Sequence, residues 1–288
     1  MTGKYVRWCL LAITVSITSV MVLRLYERQQ QNAELAARLE KIRRVGSEAE
    51  ISCAEVAAGR PLVLLALGQS NAANHGTLIR RESKPIRLLA QGKCVEATDP
   101  LPGATGNGGS IWQRLPDALG KQENEGSVVM SVLGVDGSSI EDWTSSDSPL
   151  PALLVERVRS MRPLGLPPTF VLWQQGEADV RDGTSAEEYS TRLDRLAAIL
   201  DEAGSEAPII LATSTVCRSA PNDAIRNAIQ SKAADNPRFR LGPDTDLLLG
   251  EKFRRDGCHL SSEGLDNAAR LWAASIRSEA SPAPMIAE

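Results

Sequence analysis

From Pro61 onward the chain repeats one pattern: a short apolar run, a few small or polar residues, then a longer amphipathic stretch. The runs PLVLLAL (61–67), SVVMSVLGV (127–135), PTFVLWQQ (168–175) and PIILATSTV (208–216) are continuous, apolar and short, and predict buried strands. Between and after them lie helix candidates: SIWQRLPDALGKQ (110–122), PALLVERVRSM (151–161), SAEEYSTRLDRLAAILDEAG (185–204), APNDAIRNAIQSKAADN (220–236) and SSEGLDNAARLWAASIRSEA (261–280). Strands separated by helices of this length pair in parallel, with helices on both faces of one sheet. The expected fold is therefore a three-layer α/β/α domain around a central parallel sheet. No internal repeat interrupts the pattern, and the Pro/Ala-rich tail 281–288 reads as disordered.

The amino-terminal part follows a different rule. Trp8–Leu23 is an uncharged run (WCLLAITVSITSVMVL) with Lys4 and Arg7 before it and Arg24 after it. It is slightly shorter than the ~20 residues that span a bilayer comfortably. It lacks the small-x-small site of a cleaved signal peptide, so residues 1–26 read as an uncleaved transmembrane anchor. Tyr5, Trp8 and Tyr26 can sit at the interfaces, and the basic end stays in the cytoplasm, placing the rest outside it, in a periplasmic or other extracytoplasmic space. Residues 27–50 read as a helical stalk. Leu25, Leu35, Leu39 and Ile42 keep heptad spacing, but Arg28 and Asn32 occupy intervening core positions, which favours a solvated spacer over a weak homodimer. The domain proper then covers 51–280.

Charge and cysteine usage sharpen this picture. Residues 1–44 hold eight Lys/Arg against three Glu, leaving 24 basic against 33 acidic residues in the remainder. An acidic folded part argues against a nucleic-acid partner. Cys53, Cys94, Cys217 and Cys258 form an even set outside the apolar run that holds Cys9, as in an exported domain. The favoured pairing is Cys53 with Cys94 and Cys217 with Cys258, because Cys217 ends a predicted strand and Cys258 lies in a loop that can cap the same sheet edge. Four buried free thiols are the alternative.

Open parallel sheets bind ligands beyond the carboxyl ends of their strands, so polar residues just after each run are the functional candidates. After the first run come Gly68, Gln69, Ser70 and Asn71; after the second, GVDGSSIEDW (134–143); after the third, Gln174 to Asp179. Ser70 stands where a strand turns into a helix, a place that exposes a hydroxyl and supplies backbone N–H donors, although a helix-capping serine uses the same position. Its base must be His75 or His259, the two histidines of the chain. His75 lacks an orienting acid and reads as a rim residue. His259 follows Asp256 by three positions, close enough for the carboxylate to fix the imidazole tautomer. Gly137 in its turn and the Gln175 amide are candidate oxyanion donors, together with the Ser70 N–H. Neither the remaining cysteines nor the acidic residues show metal-ligand spacing, and no cofactor is expected.

GQSNA, GVDGSSIEDW, WQQGEADV and DGCHL, in this order, resemble the four sequence blocks of the SGNH hydrolase superfamily, in its sialate O-acetylesterase and acetylxylan esterase branch, carbohydrate esterase family six. The resemblance covers Pro61 to about Ala280. It implies an SGNH-type fold, Ser70 as nucleophile, His259 as base, Asp256 as its orienting acid, and Ser70, Gly137 and Gln175 as oxyanion donors. It also implies that Glu177 holds the site's loops by hydrogen bonds, with Gln69 and Asn71 supporting the site around the serine. Asp136 stands where many relatives have Gly, and Gln174 where His or another residue is common; both touch the rim and leave the sugar open. The implied reaction is removal of acetyl groups from an acetylated carbohydrate through an acyl-serine. The alternatives are an O-acetyltransferase of an envelope polysaccharide using the same site, and a catalytically silent carbohydrate-binding or assembly module.

Overall fold

The computed structural model describes residues 21–23, 26, 29–77, 84–120 and 127–280. Residues 8–20 of the expected membrane anchor and the expected disordered tail lie outside the described residues, among which no helix is long and apolar enough to cross a membrane. The chain divides into two compact units, Met1–Glu40 and Lys41–Glu288. In the first, residues 29–39 form helix α1.

The second unit carries strands β1 (Ala49–Ile51), β2 (Leu62–Gly68), β3 (Ile86–Ala90), β4 (Lys93–Ala97), β5 (Val128–Gly134), β6 (Phe170–Gln174), β7 (Ile209–Thr213) and β8 (Phe239–Asp244). Its helices are α2 (Cys53–Ala58), α3 (Leu115–Leu119), α4 (Ile140–Thr144), α5 (Leu150–Met161), α6 (Glu177–Asp182), α7 (Ala186–Glu202), α8 (Asp223–Asp235) and α9 (Ser262–Ala280). Among the described residues the strands form one sheet in the order β1-β4-β3-β5-β2-β6-β7-β8. The four runs predicted as strands are its middle, β5-β2-β6-β7, all parallel.

The sheet is nonetheless mixed. β3 and β4 form an antiparallel hairpin, and β1 adds antiparallel to β4. The turn between them is Gln91-Gly92, both with positive φ (52° and 73°), the left-handed pair that matches the twist of a two-residue hairpin. At the opposite edge β8 pairs parallel to β7, and only Phe239 and Pro243 of its six residues are buried, so it forms no apolar run. The predicted helix at 110–122 shrinks to α3. Asp99 accepts both the N–H and the hydroxyl of Ser110 (2.9 and 2.6 Å), which holds the start of that stretch in a turn.

Successive residues of β2 point to opposite sides of the sheet. Leu64 and Ala66 join Met130, Val132, Leu172 and Ile210 in a core closed by Leu265, Ala269, Trp272 and Ile276 of α9. Val63, Leu65 and Leu67 on the other side are equally buried. Each fully buried Leu, Ile or Val contributes about 1.5–3 kcal/mol relative to exposure, so both faces must be covered, giving the α/β/α layering. Both expected disulfides are present: Cys53–Cys94 ties α2 to β4, and Cys217–Cys258 ties the loop after β7 to the loop before α9. Cys217 lies beyond the end of β7 rather than at its last position, yet reaches the same partner.

β2 is the pivot of this order. The chain continues outward through β5 on one side and through β6, β7 and β8 on the other, so the crevice beyond β2, β5 and β6 is the topological switch point where such sheets place ligands.

Candidate active site

β2 can end where it does because residue 68 is glycine: φ is 142°, and a Cβ there would stand 2.1 Å from the Gln174 carbonyl oxygen on β6. Ser70 follows at once. The expected helix after it is a single 3-10 turn, Ser70–Ala72, and the chain then runs irregularly through Asn74 and His75. That path is pinned: the Trp112 indole donates to the Ala72 carbonyl (2.7 Å), and the Asn74 side chain exchanges hydrogen bonds with the backbone of Leu101 (2.9 Å each way).

The four blocks are hydrogen-bonded into one cluster. The Asn71 amide donates to Glu177 Oε1 (2.7 Å) and to the Cys258 carbonyl (3.3 Å), so the residue after Ser70 is tied to both the third and the last block. Gln69 Oε1 accepts from the Ala178 N–H (2.9 Å). In the second block the Trp143 indole donates to Ser138 Oγ (2.9 Å), and Ser139 and Asp142 form a reciprocal cap on α4. Gly137, with φ of 64°, lies between them and the end of β5, and among the described residues its N–H has no acceptor. The expected site-support residues Gln69, Asn71 and Glu177 are therefore brought together.

The last block supplies a finished acid–base pair. Asp256 Oδ2 lies 2.7 Å from His259 Nδ1, while Oδ1 accepts the N–H groups of His259 (2.7 Å) and Cys258 (3.0 Å). Partial burial raises this carboxyl, but the hydrogen bonds from the His259 ring and from the His259 and Cys258 backbone outweigh it and hold it well below the usual carboxylate range. With Nδ1 held by an ionised carboxylate, Nε2 is left free to accept a proton. Arg254 is buried beneath the loop and donates to the carbonyls of Leu248, Val216, Cys258 and Thr245 (2.6–3.0 Å).

Gln175 departs from its expected role. It is fully buried, and its amide N–H groups point to Asp179 Oδ2, the Ser138 carbonyl (3.2 Å) and Gln69 Oε1 (3.3 Å), while Tyr189 OH lies 3.0 Å from its Oε1. Two amide hydrogens facing three internal acceptors leave none for an oxyanion. Gln175 instead fastens the first three blocks to each other. Its main partner, Asp179, also accepts the Ile140 N–H (2.9 Å) and the Thr184 hydroxyl (2.8 Å) and has its carboxyl raised by burial.

Glu177 is equally enclosed. Its Oε1 accepts from Asn71 and from Ser214 Oγ (2.8 Å), whereas Oε2 is buried without a partner among the described residues. Burial pushes its carboxyl up, against the Asn71 hydrogen bond and the Arg254 charge. Tyr189, Ser214 and Arg254 were not singled out by the motif spacing, and Asp179 only as the end of the candidate stretch 174–179. Asp179 and Arg254 stand two positions from Glu177 and Asp256, and that adjacency was the available signal. His75 is the larger surprise, since its ring stacks on His259, with centroids 5.5 Å apart and planes inclined by 27°. Among the described residues no group of three or more His, Cys, Asp or Glu side chains could hold a metal ion.

Residues 61–277 match the family model described as carbohydrate esterase, sialic acid-specific acetylesterase. The chain belongs to that family. This acetylesterase is thus a carboxylic ester hydrolase acting on carbohydrate esters, as the four-block resemblance implied. No curated protein matches it. A solved structure of a protein from Arabidopsis thaliana is similar at 22% identity and a TM-score of 0.61, covering 76% of this chain and 98% of that one. A mutant of an acetyl-xylooligosaccharide esterase from Geobacillus stearothermophilus is similar at 17% identity and a TM-score of 0.50, covering 74% of this chain and 93% of its own. At such identities these likenesses speak for the fold.

Proposed function

We propose that this acetylesterase removes acetyl groups from an acetylated carbohydrate through an acyl-serine on Ser70. His259 Nε2 takes the Ser70 hydroxyl proton as Oγ attacks the ester carbonyl, and then gives it to the departing sugar oxygen. Asp256 keeps the imidazole in the required tautomer and balances its charge. The N–H groups of Ser70 and Gly137 receive the oxyanion, while Gln69, Asn71, Gln175 and Glu177 hold the donors and the nucleophile in register. Water, activated by His259, then releases acetate.

One observation carries this reading: the Asp256–His259 pair is formed, at 2.7 Å, on a loop tied through Asn71 to the turn that presents Ser70. We further propose that the uncharged run Trp8–Leu23 tethers the enzyme to a membrane with the domain outside the cytoplasm; two disulfides in the folded unit support an oxidising location. The test of the chemistry is Ser70→Ala. Turnover of 4-nitrophenyl acetate and labelling by a fluorophosphonate should both vanish while the far-ultraviolet dichroism stays unchanged. Full activity in the variant would refute the mechanism. Acetate release across acetylated glycans, with and without an acceptor oligosaccharide, separates hydrolysis from transfer.

A further inference from the structure

We propose that His75 is a positioning residue for the base: its ring is the surface against which the His259 imidazole is held, and against which the imidazolium forms during ester attack. This rests on His259 being the base for Ser70. The Asp256 carboxylate grips His259 by one edge, at Nδ1, which leaves the faces of the ring to other contacts. The stacked ring of His75 supplies a face as the second constraint.

His75 is itself fixed. Its Nε2 lies 3.1 Å from Thr105 Oγ1, and Thr105 is buried, with its hydroxyl oxygen accepting the Asp136 N–H (3.0 Å) and its own N–H donated to the Gly134 carbonyl (2.9 Å). The flanking backbone is bonded on both sides, Asn74 N to the Thr105 carbonyl and Gly76 N to the Gly109 carbonyl (2.9 Å each), and Arg255 donates to the His75 carbonyl (3.0 Å). A Cβ at Gly106 would stand 2.8 Å from His75 Cδ2, so the ring also packs closely against the loop at Gly106. Through Thr105 the ring that backs the base is joined to the loop that presents the Gly137 N–H.

The charge state suits the role. Groups facing His75 are Asp136 from the loop after β5 and His259 and Arg255 from the loop before α9. Burial pushes the His75 ring below the usual histidine range; Asp136 opposes this, and His259 and Arg255 reinforce it. A neutral aromatic face toward a forming imidazolium attracts it, whereas a second imidazolium would repel it.

The test uses the purified full chain and a series of substituted phenyl acetates with leaving groups of rising pKa. Every substrate needs His259 to take the Ser70 proton, but only poor leaving groups also need that proton returned, so a misplaced His259 costs them most and steepens the dependence of kcat/KM on leaving-group pKa. His75→Ala should lower kcat/KM about tenfold for the poorest leaving group, equivalent to about 1.4 kcal/mol, and much less for the best. His75→Phe, which restores a ring face without a charge, should return the value to within about threefold of wild type. A uniform loss along the series, or a Phe variant as impaired as Ala, would overturn the proposal. If His75→Ala does not fold, Thr105→Val keeps the ring and frees its anchor; an unchanged slope there would overturn it equally. Should Ser70→Ala retain turnover, the esterase mechanism itself falls; should only the His75 series behave as wild type, that mechanism stands and this inference fails.

Discussion

Asp256→Asn is the sharpest perturbation available to this site, because it changes almost no volume and reverses one polarity. In the native loop Oδ1 accepts two backbone N–H groups, from Cys258 and His259, and Oδ2 faces His259 Nδ1. An asparagine must keep its oxygen toward the two N–H donors, since its NH2 there would oppose both. Its NH2 group then faces Nδ1 and forces that nitrogen to accept. The imidazole proton moves to Nε2, which can no longer take the Ser70 hydroxyl proton.

The loss should approach that of a wrong-tautomer triad, about 10³–10⁴-fold in kcat, or about 4–5.5 kcal/mol at about 1.36 kcal/mol per tenfold. KM should stay within a few-fold, because Asp256 touches no proposed substrate atom. Steady-state hydrolysis of 4-nitrophenyl acetate, with thermal melting to establish the fold, is the assay. Asp256→Ala, which removes the carboxylate without imposing a tautomer, should fall less far than Asp256→Asn. An Asn variant retaining more than a tenth of wild-type kcat would refute the tautomer argument, and with it the assignment of His259 as base.

Opening the Cys217–Cys258 bridge, by verified reduction or by Cys217→Ser with Cys258→Ser, should loosen the loop carrying Asp256 and His259 and lower activity; an unchanged rate would deny the bridge a role in the site. Its closed loop, with a sequence separation of 41, is worth up to about 4 kcal/mol of unfolding free energy in the chain-entropy estimate, checked by urea denaturation. Glu177 binds a proton more readily in the folded than in the unfolded chain, so its contribution to stability falls as pH rises above the unfolded value of about 4.3. Glu177→Gln should remove that decline: the stability of the variant relative to wild type should rise from pH 4 toward pH 7, and a difference constant with pH would refute the assignment. Fluorophosphonate labelling should disappear with Ser70→Ala and persist with Asp256→Asn at a reduced rate.

The parts of the fold written plainly in the chain are those buried on both faces. β2, β5, β6 and β7 are continuous apolar runs because helices cover them above and below, and such runs admit few other readings. The two sheet edges were silent for the opposite reason. β8 buries only Phe239 and Pro243, and the β3–β4 pair declares itself through a Gln-Gly turn whose first residue is not one of the usual hairpin signals. Helix α3 was overread because Asp99, a residue outside the apparent amphipathic stretch, captures Ser110 and withholds the first turns from the helix.

The candidate site divides along similar lines. Asp256 and His259 were legible because their interaction is local: three residues of spacing suffice to bring Oδ2 to Nδ1. Gln175 and His75 are both settled by long-range packing, and both move from the expected place. An amide at a strand end looks like an oxyanion donor until its hydrogens are found facing Asp179, Ser138 and Gln69, and then its fixed geometry becomes support for the donors instead. His75 looks like a rim residue because nothing beside it in sequence can orient it; Thr105 orients it, from across the crevice. In this architecture the ends of β2 and β5 carry the proposed nucleophile and oxyanion donor, whereas the end of β6 carries Gln175, which clamps its neighbours. A polar residue after a strand is therefore as apt to be a clamp as a catalyst, and only the direction of its hydrogens distinguishes the two.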